Sequence, residues 1–512
     1  MELMYILYSG MHSKEAHIVA NMCRNSFSIG NVCMAEYGNI SQIPSMAILL
    51  EPPDEFFSTT KYRTGKYVVL GRLSSAGQEW FNVREKLDYC DSVVLHWHDG
   101  VQISDYYIKY QENDLWALRN QVRSLIRYDY ADEWNNHGYG KIGLSGSSFD
   151  VSMYAEDLGE TSIADNCAMI CKAGEEDTCF PFIKKRDEKN SSFVWINRLV
   201  GMVDSYEWNL VETFFADYRF DELPCLPYVL DVPGDYEGAV TMRLDCDQAI
   251  CTARKLWEMY CDEHVPMSLA ITTGNAIGAE DFSLITDVVG SGGAILSHSM
   301  NHFPDWGGNY YGAYMEALGS KLWLNRHVGE PFSSHVYAVS PFHQNSGYAV
   351  AAMEDAGYRG FVSGSIHNNP ECVLARGGHV SGFKTIISLS NQCMLHGDCY
   401  HSYGNTIEPY TDSLDFHFEY GNVFGYLDHP FSEAYQYGWN DEDERIDVHQ
   451  NLIHYAKNKG NIWFCNLHEA LDFIYGKTRL EFYVNDEDRV VSNGGEKLYR
   501  YCVRYKNRQF VI

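Results

Sequence analysis

Three things are scarce in this sequence, and each scarcity narrows the field. No apolar run approaches the ~18 residues needed to span a bilayer, so no integral membrane segment is expected. Basic residues are few: 39 Lys and Arg stand against 69 Asp and Glu, for a formal charge of −30. Nucleic acids and anionic membrane surfaces are bound through basic patches that neutralise phosphate, so neither is expected as a partner. There is no internal repeat or low-complexity tract, and nothing in the composition reads as disordered or fibrous. The opening MELMYILYSGMHSKEAH lacks the basic flank and small-residue cleavage site of a secretory leader, and Met4 to Tyr8 read as a first buried strand. The 15 cysteines are odd in number and follow no framework, which fits reduced thiols and a cytoplasmic location.

What is present is ample core: 45% hydrophobic and 21% charged residues over 512 positions, enough for roughly two to four domains. Aromatic residues are abundant, with 37 Tyr, 25 Phe and 11 Trp. Flat rings line sugar-binding grooves, although most aromatics fill cores.

The clearest seam is DELPCLPYVLDVPGDYEG, residues 221 to 238, where prolines and acidic residues without helical periodicity predict a connector. Before it, short aliphatic runs at 45–51, 66–73, 91–97 and 141–147 alternate with helical spacing at 115–128 and 211–220. That alternation predicts a parallel-sheet α/β domain over 1–225. After the seam the beat is more regular: GAVTMRLD, VPMSLAIT, GAILSHS, SSHVYAVSPF and YRGFVSG read as strands with helices between them. Repeated βα units favour a barrel or an open parallel sheet, and both place chemistry at the C-terminal strand ends.

Three of those ends carry metal-capable groups. In RLDCDQ, a strand running that far puts Arg243, Asp245 and Asp247 on one face. SHSMNH offers His298 and His302 four residues apart, and YLDHP offers Asp428 and His429 after the apolar run GNVFGYL. Among 20 histidines about one HxxxH pair arises by chance, so the motif alone decides nothing. Their order at successive strand ends does: one carboxylate and two imidazoles make the three-ligand set that leaves a fourth zinc position open.

With these residues in view, 236–480 resembles the polysaccharide deacetylase family, the NodB-homology fold. The matching runs are LDCD, HSMNH, SPF and LDH, with EALGSKLWLNRHVG and MEDAGYRGFVSG similar to the intervening segments. The resemblance implies a distorted (β/α) barrel that binds a divalent metal, Zn²⁺ first, with Co²⁺ or Mn²⁺ as alternatives. It implies His298 and His302 as ligands together with one of Asp245 and Asp247, the other carboxylate serving as general base; Asp247 is favoured as ligand and Asp245 as base, with His429 as general acid. Ser299 would support the loop, Pro341 and Phe342 would shape the substrate groove, and the substrate would be an N-acetylated sugar. Two departures stand out. Val339 occupies the position where the family has an Arg that pairs with the base, and 367–410 look like an insertion. Arg243 is the candidate to replace that Arg.

The region 1–225 resembles amidotransferase-like or flavodoxin-like accessory domains through LDYCDSVVLHWHDGVQIS and GKIGLSGSS. Its Gly/Ser turn at 143–148 and the pair His96 and His98 are weighed as a phosphate or sugar cradle and a second metal site; ordinary structural roles are the expectation. Residues 481–512 form a C-terminal extension. The expected activity is metal-dependent removal of an N-acetyl group from an amino sugar in a surface polysaccharide precursor or oligosaccharide. The alternatives are an inactive carbohydrate-binding barrel and a hydrolase of a non-sugar amide.

Overall fold

The computed structural model describes residues 2–59, 64–85, 95–98, 101–104, 106–111, 122–127, 142–144, 155–158, 164–172, 175–197, 203–248, 250–275, 278–328, 336–364, 371–374, 376–391, 393–402, 404–493 and 498–512. Among these residues no helix is long and apolar enough to cross a membrane.

Two large sheets organise the chain. In the C-terminal one the strand Gly238–Cys246 is buried at every position, as a parallel strand covered on both faces must be. It pairs in parallel with Ser268–Ile271 on one side and with Val423–Asp428 on the other. The parallel ladder continues through Ala294–Ser297, Tyr337–Val339, Gly360–Gly364 and Ile387–Asn391. The next strand in the chain, Cys393–Met394, pairs with Val423–Asp428. Ile387–Asn391 therefore lies against the Gly360–Gly364 strand and Cys393–Met394 against Val423–Asp428. These strands come from the region that the sequence suggested to be an insertion; they are part of the main sheet.

Register aligns the C-terminal strand ends along one edge. Cys246 faces Ile271, Ile271 faces Ser297, Ser297 faces Ala338, and Leu244 faces Asp428. Residues that follow these positions are thereby gathered at one mouth although Asp247 and His429 stand 182 positions apart in the chain.

The N-terminal sheet corrects the expectation of a parallel α/β domain. Met4–Tyr8, Val32–Glu36, Met46–Leu50, Gly65–Leu70 and Ser191–Ile196 are joined in parallel. Tyr106–Tyr110, Asp165–Lys172, Glu175–Glu188 and Ser191–Ile196 are joined antiparallel, which makes the sheet mixed. The physical cause is local: Glu188 and Ser191 are paired across a two-residue link, too short for the crossover that parallel pairing needs. The helical spacing over 115–128 gives way within its described part, 122–127. Val122–Arg127 is a strand, fixed by Tyr106–Tyr110 on one side and Ile142–Leu144 on the other. Tertiary pairing outweighs a weak helical preference there. The expected helix at 211–220 is Ser205–Ala216. The side chains of His96 and His98, and residues 145–148 of the Gly/Ser turn, lie outside the described residues.

One cysteine pair departs from the all-thiol expectation. Cys171 and Cys179 face each other across the antiparallel ladder with Cα atoms 4.2 Å apart, and they are disulfide-bonded. Direct cross-strand neighbours at that spacing are within bonding reach whatever their sequence framework.

The connector contributes a strand of its own. Tyr228–Pro233 pairs antiparallel with Tyr501–Tyr505, which in turn pairs with Arg508–Val511, so the C-terminal residues fold back onto the seam.

Burial also sets an acid sensitivity. His417, 2% exposed on the helix Glu408–Glu419, has its pKa pushed down to about 3 by burial alone. The unfolded ring titrates near 6.5, so the unfolded state takes up the proton first as pH falls. Stability from this group is complete above about 6.5 and is lost towards 3, at about 1.4 kcal/mol per pH unit. His417→Leu is expected to flatten urea-midpoint profiles in that window; an unchanged slope would contradict the assignment.

Candidate active site and metal centre

Asp247 follows the Gly238–Cys246 strand, and His298 follows Ala294–Ser297, where its backbone N–H donates to the Ile271 carbonyl at 2.9 Å. His302 is returned towards His298 by a tight loop. Ser299 and His302 both adopt left-handed backbone, with φ of 63° and 55°. The Ser299 hydroxyl accepts the His302 N–H at 2.9 Å, and buried Glu316 accepts the N–H groups of Met300 and Asn301 at 3.0 and 2.7 Å. Phe342 and His343 in the facing loop are also left-handed, at 53° and 54°. Each such residue costs on the order of 1–3 kcal/mol, and strain of this kind clusters where side chains must be aimed.

The result is a convergence. Asp247 Oδ1 lies 3.2 Å from His298 Nε2 and 3.3 Å from His302 Nε2, and the two ring nitrogens are 3.0 Å apart. His298 Nδ1 donates to the Val339 carbonyl at 3.0 Å, the second bond that fixes a ligating imidazole with its Nε2 lone pair pointing inward. Val339 thus serves the site through its backbone carbonyl. Burial, and then the His298 charge, push His302 down to about 4, so its ring is neutral near pH 7.

These donors fit a divalent cation. Two imidazole nitrogens and a carboxylate oxygen meet at about 3 Å with their lone pairs towards one another. Asp247 Oδ1 is buried and accepts no hydrogen bond of good geometry among the described residues. The pocket as a whole favours positive charge: burial opposes charging of His298, yet the Asp245 and Asp247 carboxylates raise its pKa. Asp247, His298 and His302 make a one-carboxylate, two-imidazole cluster whose ligand atoms lie within 4.8 Å of one another and could hold a metal ion.

Asp245 sits beside this set with a different partner. Arg243, wholly buried two residues earlier on the same strand, donates Nε to Oδ1 at 2.7 Å and Nη2 to Oδ2 at 3.1 Å. Burial pushes the Asp245 carboxyl up, but Arg243 and then His298 outweigh it and hold the group well below the usual range. Arg243 also reaches His343 Nε2 at 3.0 Å, and burial together with that guanidinium lowers His343 to about 3.

His429 closes the far side, with Nε2 3.5 Å from Asp247 Oδ2. Its ring stacks on Tyr437 at 4.0 Å and 13°. Asp428 faces inward: Oδ1 accepts the His429 N–H at 2.7 Å, and Oδ2 accepts Arg445 Nε at 2.7 Å and lies 3.0 Å from His449 Nε2. Phe342, 36% exposed, packs against His302 at 4.7 Å, while Phe303 and Tyr435 stand 50% and 43% exposed nearby in the sequence of the same loops. Pro341 is buried beneath Phe342 in the chain turn.

The structure therefore brings Arg243, Asp245, Asp247, His298, Ser299, His302, Phe342 and His429 to one mouth. His343, His396, Tyr437, Arg445 and His449 also belong there and were not singled out from the sequence. Arg445 and His449 left a signal, a charged residue and a histidine four apart on the inward face of Glu442–Lys457. His396 and His343 left none.

No family model matches the chain, and no curated protein matches it. Solved structures do show likeness. The chain is similar to Agd3, described as a novel carbohydrate deacetylase, with 9% identity and a TM-score of 0.40 over 98% of this chain and 93% of that one. It is similar to a family 4 carbohydrate esterase from Streptomyces lividans, with 11% identity and a TM-score of 0.30 over 45% and 92%. Puue allantoinase shows 11% identity and a TM-score of 0.37 over 47% and 91%. The solved structures that resemble this chain thus include carbohydrate deacetylases and esterases, and at 9–11% identity the roles of its residues rest on the geometry above.

Proposed function

We propose that this protein is a metal-dependent deacetylase that hydrolyses the N-acetyl group of an amino sugar, carried by a distorted (β/α) barrel over 236–480. The observation that carries the reading is the convergence of Asp247, His298 and His302 on one point, flanked by an ionised Asp245 and by His429. A divalent cation held by those three residues supplies the charge that polarises an amide carbonyl and brings the pKa of a water towards about 7. Asp245, kept ionised by Arg243, accepts the proton of the attacking water. His429 presents Nε2 on the opposite side and gives a proton to the leaving amine. The exposed rings of Phe303, Phe342 and Tyr435 offer flat apolar faces on which a sugar ring can pack. Residues 1–225 are read as an accessory domain and 481–512 as an extension.

The test is acetate release by protein reconstituted with Zn²⁺, Co²⁺ or Mn²⁺, with N-acetylated oligosaccharides and small non-sugar amides compared side by side. Release from the oligosaccharides supports the proposal. Turnover of the small amides alone would move the substrate class, and no bound metal after reconstitution would end the reading.

Arg243 gives a sharper check. Without its guanidinium, burial raises the Asp245 carboxyl, so Arg243→Gln is expected to move the acid limb of kcat/KM to higher pH and to lower the plateau by about 10²-fold. An unshifted limb would remove Arg243 from the mechanism.

A further inference from the structure

His429 has a second nitrogen, and what holds it decides what the first can do. Its Nδ1 lies 2.8 Å from Nε2 of His396, a fully buried residue that follows the short strand Cys393–Met394. Asp428, the adjacent carboxylate, is not that partner: its oxygens are taken by the His429 N–H, Arg445 and His449, and its nearest approach to His396 is 3.8 Å. The stacked Tyr437 ring fixes the plane of His429, and within that plane His396 meets Nδ1 at 2.8 Å while Asp247 stands 3.5 Å from Nε2.

We propose that His396 is the positioning residue for His429, and that it holds the His429 ring with its Nε2 proton aimed at the reaction site. The inference rests on the deacetylase reading for its consequence in catalysis, and on geometry alone for the pairing. Two imidazoles that share one hydrogen bond must divide the roles. With a proton on His429 Nε2, Nδ1 is the acceptor of this bond and His396 Nε2 the donor. When His429 is protonated on both nitrogens, Nδ1 donates and the neutral His396 ring accepts through its other tautomer. Burial, with the His429 charge second, pushes His396 down to about 3, so it stays neutral and serves either way. A carboxylate in its place would bind the imidazolium tightly and discourage release of the proton; a neutral ring orients without that hold.

His396, Asp428 and His429 are also close enough together to suggest a second cation site. The 2.8 Å separation of the rings is that of a hydrogen bond, and Asp428 is already matched by Arg445, whose guanidinium would repel a cation.

The test uses the full-length, metal-loaded protein and two variants, His396→Leu and His396→Gln, because a Gln amide sits where the imidazole Nε2 was. Substrates are an N-acetylglucosamine oligomer, whose amine must be protonated to leave, and an aryl acetate, whose phenolate leaves unaided. For His396→Leu, kcat on the amide is expected to fall about 10²-fold with KM unchanged, while kcat on the aryl acetate falls less than about 3-fold. His396→Gln should recover most of the amide activity. Equal losses on both substrates would mean a merely structural role and overturn the proposal, as would an unimpaired amide reaction. Two metal ions per chain, one of them lost in His396→Leu, would overturn it in favour of a second metal site. A ¹⁵N-histidine spectrum decides the pairing without any turnover: the wild type should show His429 protonated at Nε2, and the Leu variant a changed tautomer. If the wild type hydrolyses neither substrate, the deacetylase reading fails, and the spectrum still supports or overturns the His396 pairing.

Discussion

Replacing His298 and His302 together with alanine is expected to strip the bound cation and to lower acetate release at least about 10³-fold. Two of the three proposed protein ligands are lost, and the remaining carboxylate, Asp247, can hold a divalent ion only weakly. The pairing of Asp245 with Arg243 and of Asp428 with Arg445 is untouched by these changes, so the fold is expected to survive. Metal per chain, measured by emission spectroscopy after reconstitution and dialysis, is the primary readout. Wild type should hold about one ion and the variant almost none. Retention of a full equivalent by the variant would place the metal elsewhere and remove the basis of the proposed chemistry.

Arg376→Met is expected to be the most destabilising single change considered, at about 3–5 kcal/mol, because it leaves buried carboxylates without their main partner. Arg376 donates Nη1 and Nη2 to the two oxygens of Glu212 at 2.8 and 2.9 Å, and Nε to Asp231 at 2.5 Å. Lys477 completes the cluster on Asp231. All four are 5% exposed or less, and two cations face two anions. The cluster joins four parts of the chain: the helix Ser205–Ala216, the connector strand Tyr228–Pro233, the turn at 376 and the helix Leu467–Lys477. Loss of one cation leaves a net buried negative charge that only unfolding or protonation relieves. The urea midpoint should therefore drop sharply at pH 7 and partly recover as the pH is lowered towards the carboxylate range. A shift below about 1 kcal/mol would mean that water or backbone relaxation compensates the carboxylates, in contrast to a buried pair.

Much of the site was open to sequence reading because its information is local. The alternation of a strand places Arg243 and Asp245 on one face, and they do meet in the fold, while Asp247 follows just past the strand's end. Four-residue spacing places His302 near His298, although the loop achieves it through two left-handed residues and not through a helical turn. Apolar runs marked the strands that carry these groups to the edge. Where the reading went astray, one cause was pairing with neighbouring strands and the other a short link. Val122–Arg127 became a strand because strands on either side of it offered hydrogen bonds, and residues 165–196 became antiparallel because a two-residue link left no room for a crossover.

By itself the sequence determined the alternation of elements, the order of metal-capable strand ends and the acidic balance, since each depends on residues within a few positions of one another. Tertiary structure alone decided that Ile387–Asn391 would lie against Gly360–Gly364 and Cys393–Met394 against Val423–Asp428, and that His396 would then face His429. It decided also that Cys171 would meet Cys179 and that Arg376 would find Glu212 and Asp231. Periodicity fixes which way a side chain points relative to its own backbone. Which partner it meets depends on strand pairing and register summed over the whole sheet, and no short window of sequence contains that sum.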